Sequence, residues 1–500
     1  MKELYVKNKF KLSCSILFIL LIIEIISSCK QGIFSTTAAL VYYGLAYSLL
    51  GYVLYEFIKT IKNDIKNKSY LSLIGFIIVI SFYLFFVFTI SYGLIHIESE
   101  QEMRDIMNLS KTSDFGYNGI IYGKYPAREL ILSSPIVLLF GRSVLTLRLC
   151  FAVLFIVGII RFYIGLKHYL EYKSLNSKYA FIPLISLLIF PYIHEYFNYF
   201  EQSMLPVSIL MILIGVFLDF YIDNNKFVHY LEFIFIVNYL GHSYYTNLAI
   251  LGLTLVIFLF IIISNSIHKP CIVILSSIKS IILLSICTIY GIISYLVTNY
   301  DESTSDIAWD QIQNAPKSII EFLFNEHSLF FSFMGIVFIG YFILSICFKL
   351  SILDFLITGW SFAVMITALY VNRHYEEFSL YHRITIIIPI IITMIFIHGY
   401  NFIIKYDIKV SKILLYVYMI LCLISGVYFT FHLQGTTIFA DTIETVSYTF
   451  AEDYLLEVTD KFDLRDKDIV IFYTPNLSYY WGYSNHMEFF YPNCKPIRFD

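Results

Sequence analysis

The chain has 500 residues, of which 58% are hydrophobic and only 14% are charged. A water-soluble protein of this length needs a larger polar share to cover its core, so the composition excludes an ordinary soluble fold and indicates a membrane protein. The formal net charge is −3. Because binding to a phosphate backbone needs concentrated lysine and arginine, this balance argues against nucleic acid as a partner.

Apolar runs along the chain predict about thirteen transmembrane helices. A helix needs about 20 apolar residues to cross a hydrocarbon core of about 30 Å. The runs lie at 12–29, 34–58, 71–95, 144–164, 179–196, 203–221, 228–241, 246–264, 274–297, 328–348, 354–371, 385–402 and 412–432. The run at 228–241 is short for a crossing, and Gly241-His242-Ser243 after it would suit a re-entrant break.

Lysines in the short connecting loops predict the orientation of these helices, because membrane proteins keep an excess of Lys and Arg on the cytoplasmic side. The lysines of alternate loops are Lys59, Lys62, Lys66 and Lys68, then Lys167, Lys173 and Lys178, then Lys226, Lys269, Lys349, Lys405, Lys409 and Lys412. A cytoplasmic N-terminus and thirteen crossings place all of these loops inside. We therefore expect a multi-pass protein of the cell membrane with an extracytoplasmic C-terminus.

The longest predicted water-facing segments lie on the outer side, at 97–143, 299–327, 371–383 and 433–500. The cytoplasmic side has only short connectors, which offer no docking region for soluble substrates such as ATP. Within the last outer segment, 441–463 has the pattern of an amphipathic helix, and Ile469 to Tyr473 that of a buried strand. We expect a small extracytoplasmic α/β segment there.

An acidic cluster begins where the third apolar run ends, with Glu98, Glu100, Glu102 and Asp105. A carboxylate at the edge of the hydrocarbon, where water thins, is suited to act as a general base for a sugar hydroxyl. Acidic residues at a helix end are more often simply solvated. The cluster alone therefore does not decide between a catalytic and a solvated role.

The remainder of the loop contains several elements in a fixed order: a Gly-rich stretch at 116–123, Tyr125-Pro126, an apolar run at 130–139, Phe140-Gly141-Arg142-Ser143 and Arg148-Leu149. Together with the acidic cluster, these elements resemble the large membrane glycosyltransferases of the C-type (GT-C) fold. The resemblance is to the group that includes dolichyl-phosphate-mannose protein mannosyltransferases and bacterial lipid-A aminoarabinose transferases. It covers the whole loop at 97–143.

The resemblance implies an all-α, GT-C-like membrane domain at 71–432, preceded by a two-helix addition at 1–70. It also implies transfer of a sugar from a polyprenyl-phosphate carrier to a glycan, lipid or protein acceptor at the outer face. Glu98 or Glu100 would be the catalytic base. This chain departs from the family pattern at two positions, because Ser99 stands where the family usually has Asp, and Ala127 replaces the second Pro of its HPP element.

Cationic side chains in the short outer loop at 371–383 are candidates for binding the lipid phosphate, because a guanidinium matches phosphate oxygens bidentately. They are Arg373, His374 and Arg383. Interfacial snorkelling of these side chains is an equally good interpretation. The candidates for the acceptor side or the cavity wall are Tyr125, His194, Glu201 and His242. No cofactor is required by the pattern, although a divalent cation beside Glu98 is compatible with His194 and Glu201.

Two further hypotheses remain open. A transporter, flippase or polymerase of surface polysaccharide would also be polytopic, but it would place ionisable residues inside several spans. A catalytically inactive relative that binds a polyprenyl lipid is compatible with Ser99. Within the first apolar run, Glu24 is costly in lipid and such a residue is functional by default, but it lies about one turn from the outer end, so reaching the interface is the alternative.

Overall fold

The structure is a computed structural model. It describes residues 2–29, 33–89, 134–140, 144–174, 176–186, 188, 205–242, 259, 271–298, 409–432, 461, 469–473 and 494–498. These residues are predominantly helical, in agreement with the predicted fold class. The count of thirteen helices and the domain boundaries at 70 and 433 stay predictions.

The helices in the described part of the chain are long at its N-terminal end. They are α1 (Lys2–Cys29), α2 (Ile33–Lys66), α3 (Tyr70–Thr89), α4 (Ser134–Phe140), α5 (Val144–Tyr172), α6 (Ile182–Ser186), α7 (Leu205–Ile222), α8 (Phe227–His242), α9 (Cys271–Thr298) and α10 (Lys409–His432), with a 3-10 turn at Ser177–Tyr179 between α5 and α6. Eight of the predicted runs coincide with α1, α2, α3, α5, α7, α8, α9 and α10.

Proline marks the start of several of these helices. Pro135, Pro183 and Pro206 are each the second residue of a helix, and Pro270 directly precedes α9. Proline lacks an N–H group and has a helical φ angle, so it suits the first turn, where backbone donors have no partner within the helix. The helix interiors between these positions consist mainly of Ile, Leu, Phe and Val, and their burial against neighbours stabilises them.

The short run at 228–241 is described throughout as α8, which continues through Gly241 and His242 as a regular helix. The five remaining predicted runs are described in part or lie outside the described residues. Of the run at 179–196, the structure describes α6 and its neighbours. The runs at 328–348, 354–371 and 385–402 lie outside the described residues, as does the run at 246–264 apart from Leu259.

Helices α5 and α7 form the closest pair among the described helices, and they run parallel. Gly165 of α5 lies so close to Gly215 of α7 that an added Cβ would come within 2.5 Å of the Gly215 carbonyl oxygen. A few residues further along both helices, His168 contacts Asp219. The absence of side chains at these glycines lets the two backbones meet directly.

Helix α3 runs antiparallel to α5. Ser72, near the start of α3, hydrogen-bonds Tyr163 in the second half of α5, whereas Tyr83, near the end of α3, packs edge-to-face on Phe155 at a centroid distance of 5.0 Å. The end of α3 and the beginning of α5 therefore lie at the same end of the bundle. The predicted outer loop connects these two ends.

Helix α9 runs parallel to α1 and α8. The Lys279 ammonium lies over the Phe10 ring near the start of α1, and Tyr290 contacts Glu24 near its end. The start of α9 also meets the turn before α8, where Ser280 donates a hydrogen bond to the Asn224 carbonyl. The beginnings of these three helices, where predicted cytoplasmic lysines lie, thus share one end of the bundle.

A short pair of strands lies near the C-terminus. Strand β1 (Ile469–Tyr473) pairs in parallel with β2 (Cys494–Arg498), with Ile469 opposite Cys494 and Tyr473 opposite Arg498. The sequence prediction of a strand at Ile469 to Tyr473 is confirmed. The amphipathic helix predicted at 441–463 lies outside the described residues apart from Lys461.

By length and composition, one segment of the described helices, Ala152–Tyr172 within α5, is long and apolar enough to cross a membrane. It is mostly buried within the protein. Shorter apolar segments occur in α3, α7, α8, α9 and α10. Helix α5 therefore lies at the centre of the described bundle, with α2, α3 and α7 packed around it.

Candidate functional site

The residues that the sequence predicted for sugar transfer lie almost entirely outside the described residues. This applies to Glu98, Glu100, Tyr125, His194, Glu201, Arg373, His374 and Arg383. His242 is the last residue of α8. The predicted base, phosphate site and acceptor site therefore stay predictions, and so does a divalent cation near Glu98.

A buried ionic cluster is the most polar feature of the described bundle. Its centre is Arg161 of α5, whose side chain is only 1% exposed. The guanidinium donates two hydrogen bonds to Glu232 of α8, from Nε to Oε1 at 2.6 Å and from Nη2 to Oε2 at 3.1 Å. Such a two-point contact is the strongest arrangement of an arginine and a carboxylate.

Arg161 also contacts a second carboxylate, Asp219 of α7. Nη1 lies 2.8 Å from Asp219 Oδ2. The hydrogens on Nη1 are not aligned with a described acceptor, so this contact is an ion pair rather than a directed hydrogen bond. One guanidinium thus bridges α5, α7 and α8 through carboxylates on both of its sides.

A histidine contacts each carboxylate: on Asp219 it meets the oxygen that does not face Arg161, and on Glu232 it shares Oε2 with Arg161 Nη2. His168 Nδ1 lies 2.8 Å from Asp219 Oδ1, and His229 Nδ1 lies 3.1 Å from Glu232 Oε2. An ionised carboxylate can only accept hydrogen bonds, so Nδ1 is the donor in both contacts. The order of groups is His168, Asp219, Arg161, Glu232 and His229.

The two histidines differ in their surroundings. About a third of the His168 side chain is exposed, whereas His229 is almost completely buried. His229 Nε2 has no hydrogen-bond partner among the described residues. His168 therefore connects the cluster to the surface, while His229 forms its buried end.

A small cavity adjoins the cluster. It has a volume of about 30 Å³, and its lining includes Arg161 and Glu232 together with apolar side chains such as Leu49, Val53 and Phe235. A cavity of this size holds a water molecule. The space therefore admits solvent or a small polar group to the Arg161–Glu232 contact, but it is too small for a sugar or a lipid head group.

A second buried ion pair lies nearby, on the face of α5 toward α2 and α3. Lys167 Nζ contacts Asp64 Oδ1, and both side chains are buried. Tyr163 hydrogen-bonds Ser72 and also lies 3.5 Å from Asp64. With one cation and one carboxylate, this group is electrically balanced. It holds the end of α2 and the start of α3 against α5.

A third polar group lies further along the bundle, toward the end opposite the lysines. Tyr290 of α9 donates to Glu24 Oε2 at 3.1 Å and accepts a hydrogen bond from Asn238 Nδ2 at 2.9 Å. Glu24 is buried. The sequence left this carboxylate open between a functional role and the interface, and the structure shows that it faces into the bundle and links α1 to α9.

Sequence reasoning missed the cluster although its signal is present. Arg161, Asp219 and Glu232 are isolated charged residues inside three predicted runs, and the cost of a charge in lipid marks such residues as paired or functional. All three lie within four residues of the end of a run rather than at its middle, and the structure brings their charges together.

The arrangement limits the chemistry of the described part. No group of three or more His, Cys, Asp or Glu side chains in the described ranges is placed to hold a metal ion. In the cluster, the Arg161 guanidinium occupies the position between the carboxylates. The network can hold helices in register, carry charge across three helices and bind water, but it has no nucleophile beside an open pocket.

Comparison with known proteins adds no family. Neither the protein-family models nor the curated proteins include a match to this chain. The resemblance of the loop at 97–143 to GT-C transferases therefore rests on the residues quoted above.

Proposed function

We propose that this chain is a polytopic membrane protein that transfers a sugar from a polyprenyl-phosphate donor to a cell-surface acceptor. The membrane part rests on one observation, which is that the outward faces of the peripheral helices are apolar. In α10, large side chains about half exposed recur at helical spacing: Ile413, Val417, Ile420, Ile424 and Val427. This stripe is about 21 Å long at 1.5 Å per residue.

The same type of stripe occurs on other peripheral helices. Examples are Phe18, Ile19 and Ile22 in α1, Ile74, Ile77 and Ile78 in α3, and Ile278, Ile282, Ile289 and Ile292 in α9. Water-soluble monomers rarely expose apolar patches that continue over several helices. A hydrocarbon layer around the bundle would cover all of these stripes at once.

The directions of the helices support the proposed topology. Alternating crossings require α5 and α7 to run parallel, α3 and α5 to run antiparallel, and α1, α8 and α9 to run parallel. The contacts of these helices have those directions. The lysine-bearing helix ends then face the cytoplasm, and the loop at 97–143 faces outward.

The scaffold around this loop suits a site that needs fixed ends. The loop at 97–143 lies in the sequence between α3, described up to Thr89, and α5, which begins at Val144. These two helices are joined along their length by the Ser72–Tyr163 hydrogen bond and the Tyr83–Phe155 contact. A loop that carries a catalytic carboxylate gains precision when rigid elements position both of its ends.

In the proposed reaction, Glu98 or Glu100 accepts the proton of an acceptor hydroxyl. The acceptor oxygen forms a bond to the anomeric carbon of the sugar as the bond from that carbon to the phosphate oxygen breaks. Polyprenyl phosphate leaves, and the cationic side chains Arg373, His374 and Arg383 stabilise its charge. Tyr125, His194, Glu201 and His242 are proposed for the acceptor side.

The test uses Glu98→Gln, Glu100→Gln and the double variant in membrane vesicles supplied with a radiolabelled polyprenyl-phosphate sugar. Loss of a general base lowers the rate by about 10²–10⁴-fold. Incorporation of label should therefore fall by this factor in one single variant and in the double variant. Glu171→Gln is the matched control, because Glu171 is exposed near the end of α5. Full incorporation in the double variant would exclude a base at either position.

A second function is favoured by the ionic cluster, because buried charges within several spans are typical of transporters. We propose translocation of a lipid-linked glycan as the alternative. Proteoliposomes with a fluorescent polyprenyl-linked sugar separate the two. Under this alternative, Asp219→Asn slows translocation and Glu98→Gln does not. Under the transferase proposal, wild-type protein does not move the lipid.

A further inference from the structure

Helix α2 is longer than a membrane crossing requires, and its C-terminal part lies on the lysine-bearing side of the bundle. It has 34 residues and is therefore about 51 Å long, whereas the hydrocarbon core is about 30 Å thick. The part beyond the predicted run, with the turn after it, has four exposed lysines: Lys59, Lys62, Lys66 and Lys68. We call these four residues the lysine face.

The lysines are not spread around the helix. At 100° per residue, Lys59, Lys62 and Lys66 fall within an arc of about 60°. Ile58 and Ile65 flank this arc on one side, and both are about half exposed. A strip of ammonium groups beside exposed isoleucines matches the boundary of a bilayer, where the apolar side chains enter the acyl region and the ammonium groups lie among the head groups.

Tertiary contacts remove the acidic residues of this segment from the surface. Asp64 is buried and paired with Lys167 of α5. The Glu56 side chain is 13% exposed and contacts Lys59 at 3.1 Å. The surface charge is therefore that of four lysines less one glutamate, which is +3. From the sequence alone, Asp64 would have reduced this value by a further unit.

Lys68 occupies a backbone conformation that costs free energy. Its φ angle is 53°, in the left-handed region that glycine adopts without penalty. It ends α2 in a Schellman motif, in which Lys68 N donates to the Ile65 carbonyl at 3.1 Å and Ser69 N donates to the Asp64 carbonyl at 2.8 Å. A glycine would be more stable in this conformation, so Lys68→Gly separates the backbone cost from the contribution of the ammonium group.

We propose that the lysine face binds the head groups of anionic phospholipids in the leaflet on the lysine side of the bundle. The inference rests on the membrane insertion proposed above and is independent of sugar transfer. An anionic leaflet attracts basic segments beside a membrane-spanning helix, by about fivefold in affinity for each lysine. Charge, the flanking isoleucines and the length of α2 all point to lipid as the occupant.

The test titrates the detergent-solubilised full-length protein with dioleoyl phosphatidylglycerol and follows the midpoint of thermal unfolding. Phosphatidylglycerol should raise the midpoint at lower concentration than phosphatidylcholine does. In the variant Lys59→Gln/Lys62→Gln/Lys66→Gln, the concentration for half-effect should rise by roughly a hundredfold, which is about fivefold for each lysine. An equal response of the wild type to both lipids would overturn the proposal.

The matched control is Lys111→Gln/Lys124→Gln/Lys317→Gln, which removes the same charge from predicted outer loops. It should leave the phosphatidylglycerol response unchanged, and an equal loss in this control would show a general charge effect and overturn the proposal. Inorganic phosphate should not shift the midpoint at millimolar concentration. A shift like that with phosphatidylglycerol would indicate a site for free anions instead of a lipid surface.

Lys68→Gly gives an independent readout. Relief of the left-handed conformation should raise the midpoint in phosphatidylcholine, while loss of the ammonium should weaken the phosphatidylglycerol response by about fivefold. A purely structural residue would show the first change without the second. That result would remove Lys68 from the lysine face.

Discussion

Arg161 of α5 and Glu232 of α8 form a two-point ion pair inside the described bundle, with Nε–Oε1 and Nη2–Oε2 distances of 2.6 and 3.1 Å. Both side chains are at most 3% exposed. A charge in such a place is stable only while its partner is present, because a buried charge without compensation is very costly. The pair therefore ties α5 to α8 and defines their relative register.

Glu232→Gln should lower the stability of the protein. The change leaves Arg161 with Asp219 as its remaining carboxylate and gives His229 a neutral amide in place of a carboxylate. Removing one partner of a buried pair costs about 3 kcal/mol. Unfolding by SDS in mixed micelles measures the difference, with Glu171→Gln as the exposed control. A Glu232 variant as stable as that control would mean that the pair contributes nothing to stability.

Lys167 and Asp64 suit a double-mutant cycle better than the Arg161 cluster does, because here one cation faces one carboxylate. Lys167→Met alone should destabilise by about 3 kcal/mol, since Asp64 is then buried without its cation. The double variant Asp64→Leu/Lys167→Met should recover most of the loss, to within about 1 kcal/mol of wild type, because an apolar pair needs no compensation. The same SDS titration on all four proteins measures the coupling. Additive losses in the double variant would contradict an ion pair.

Gly215→Ala should disrupt the contact between α5 and α7. A Cβ at this position would meet the backbone of Arg161 and Phe162 far inside van der Waals distance. We expect destabilisation of about 1–3 kcal/mol. Gly51→Ala is the control, because an added Cβ there has no atom within 4 Å and alanine is the better helix former. It should stabilise by up to about 1 kcal/mol, and the two variants should therefore change stability in opposite directions.

Lys68→Gly should stabilise the protein in neutral lipid by about 1 kcal/mol, because the left-handed backbone at this residue favours glycine. Lys62→Gly is the comparison, since Lys62 lies inside α2 and the same change there should cost about 1 kcal/mol. The midpoint of thermal unfolding in phosphatidylcholine nanodiscs distinguishes the two. A loss of stability in both variants would contradict the strained conformation of Lys68.

Most of the predicted helices in the described ranges follow from local sequence. The apolar runs and the prolines at 135, 183 and 206 place the helices, and the strand at Ile469 to Tyr473 follows from its β-branched and aromatic residues. The ends of the helices were less predictable from the sequence. Helices α2 and α5 continue eight residues past the predicted runs, to Lys66 and Tyr172, because contacts such as Asp64–Lys167 stabilise turns that a hydropathy pattern interprets as loop.

The candidate site could be predicted from the sequence much less well than the helices. The acidic loop at 97–143 was singled out by its residue pattern, and its role stays a prediction. The ionic cluster was overlooked because Arg161, Asp219 and Glu232 are 58 and 13 residues apart along the chain. Each stands among apolar neighbours, and a charge does not reveal a partner that is distant along the chain.

The sequence by itself determined the apolar class of the chain, the positions of most described helices and the alternation of lysine-rich loops. These properties depend on residues that are neighbours along the chain, so the sequence alone is enough to predict them. Only the tertiary structure decided that Glu232 faces Arg161, that Asp64 turns inward and that the lysines of α2 remain outside. Those outcomes depend on the rotation and register of helices, which distant contacts such as Gly165 against Gly215 establish.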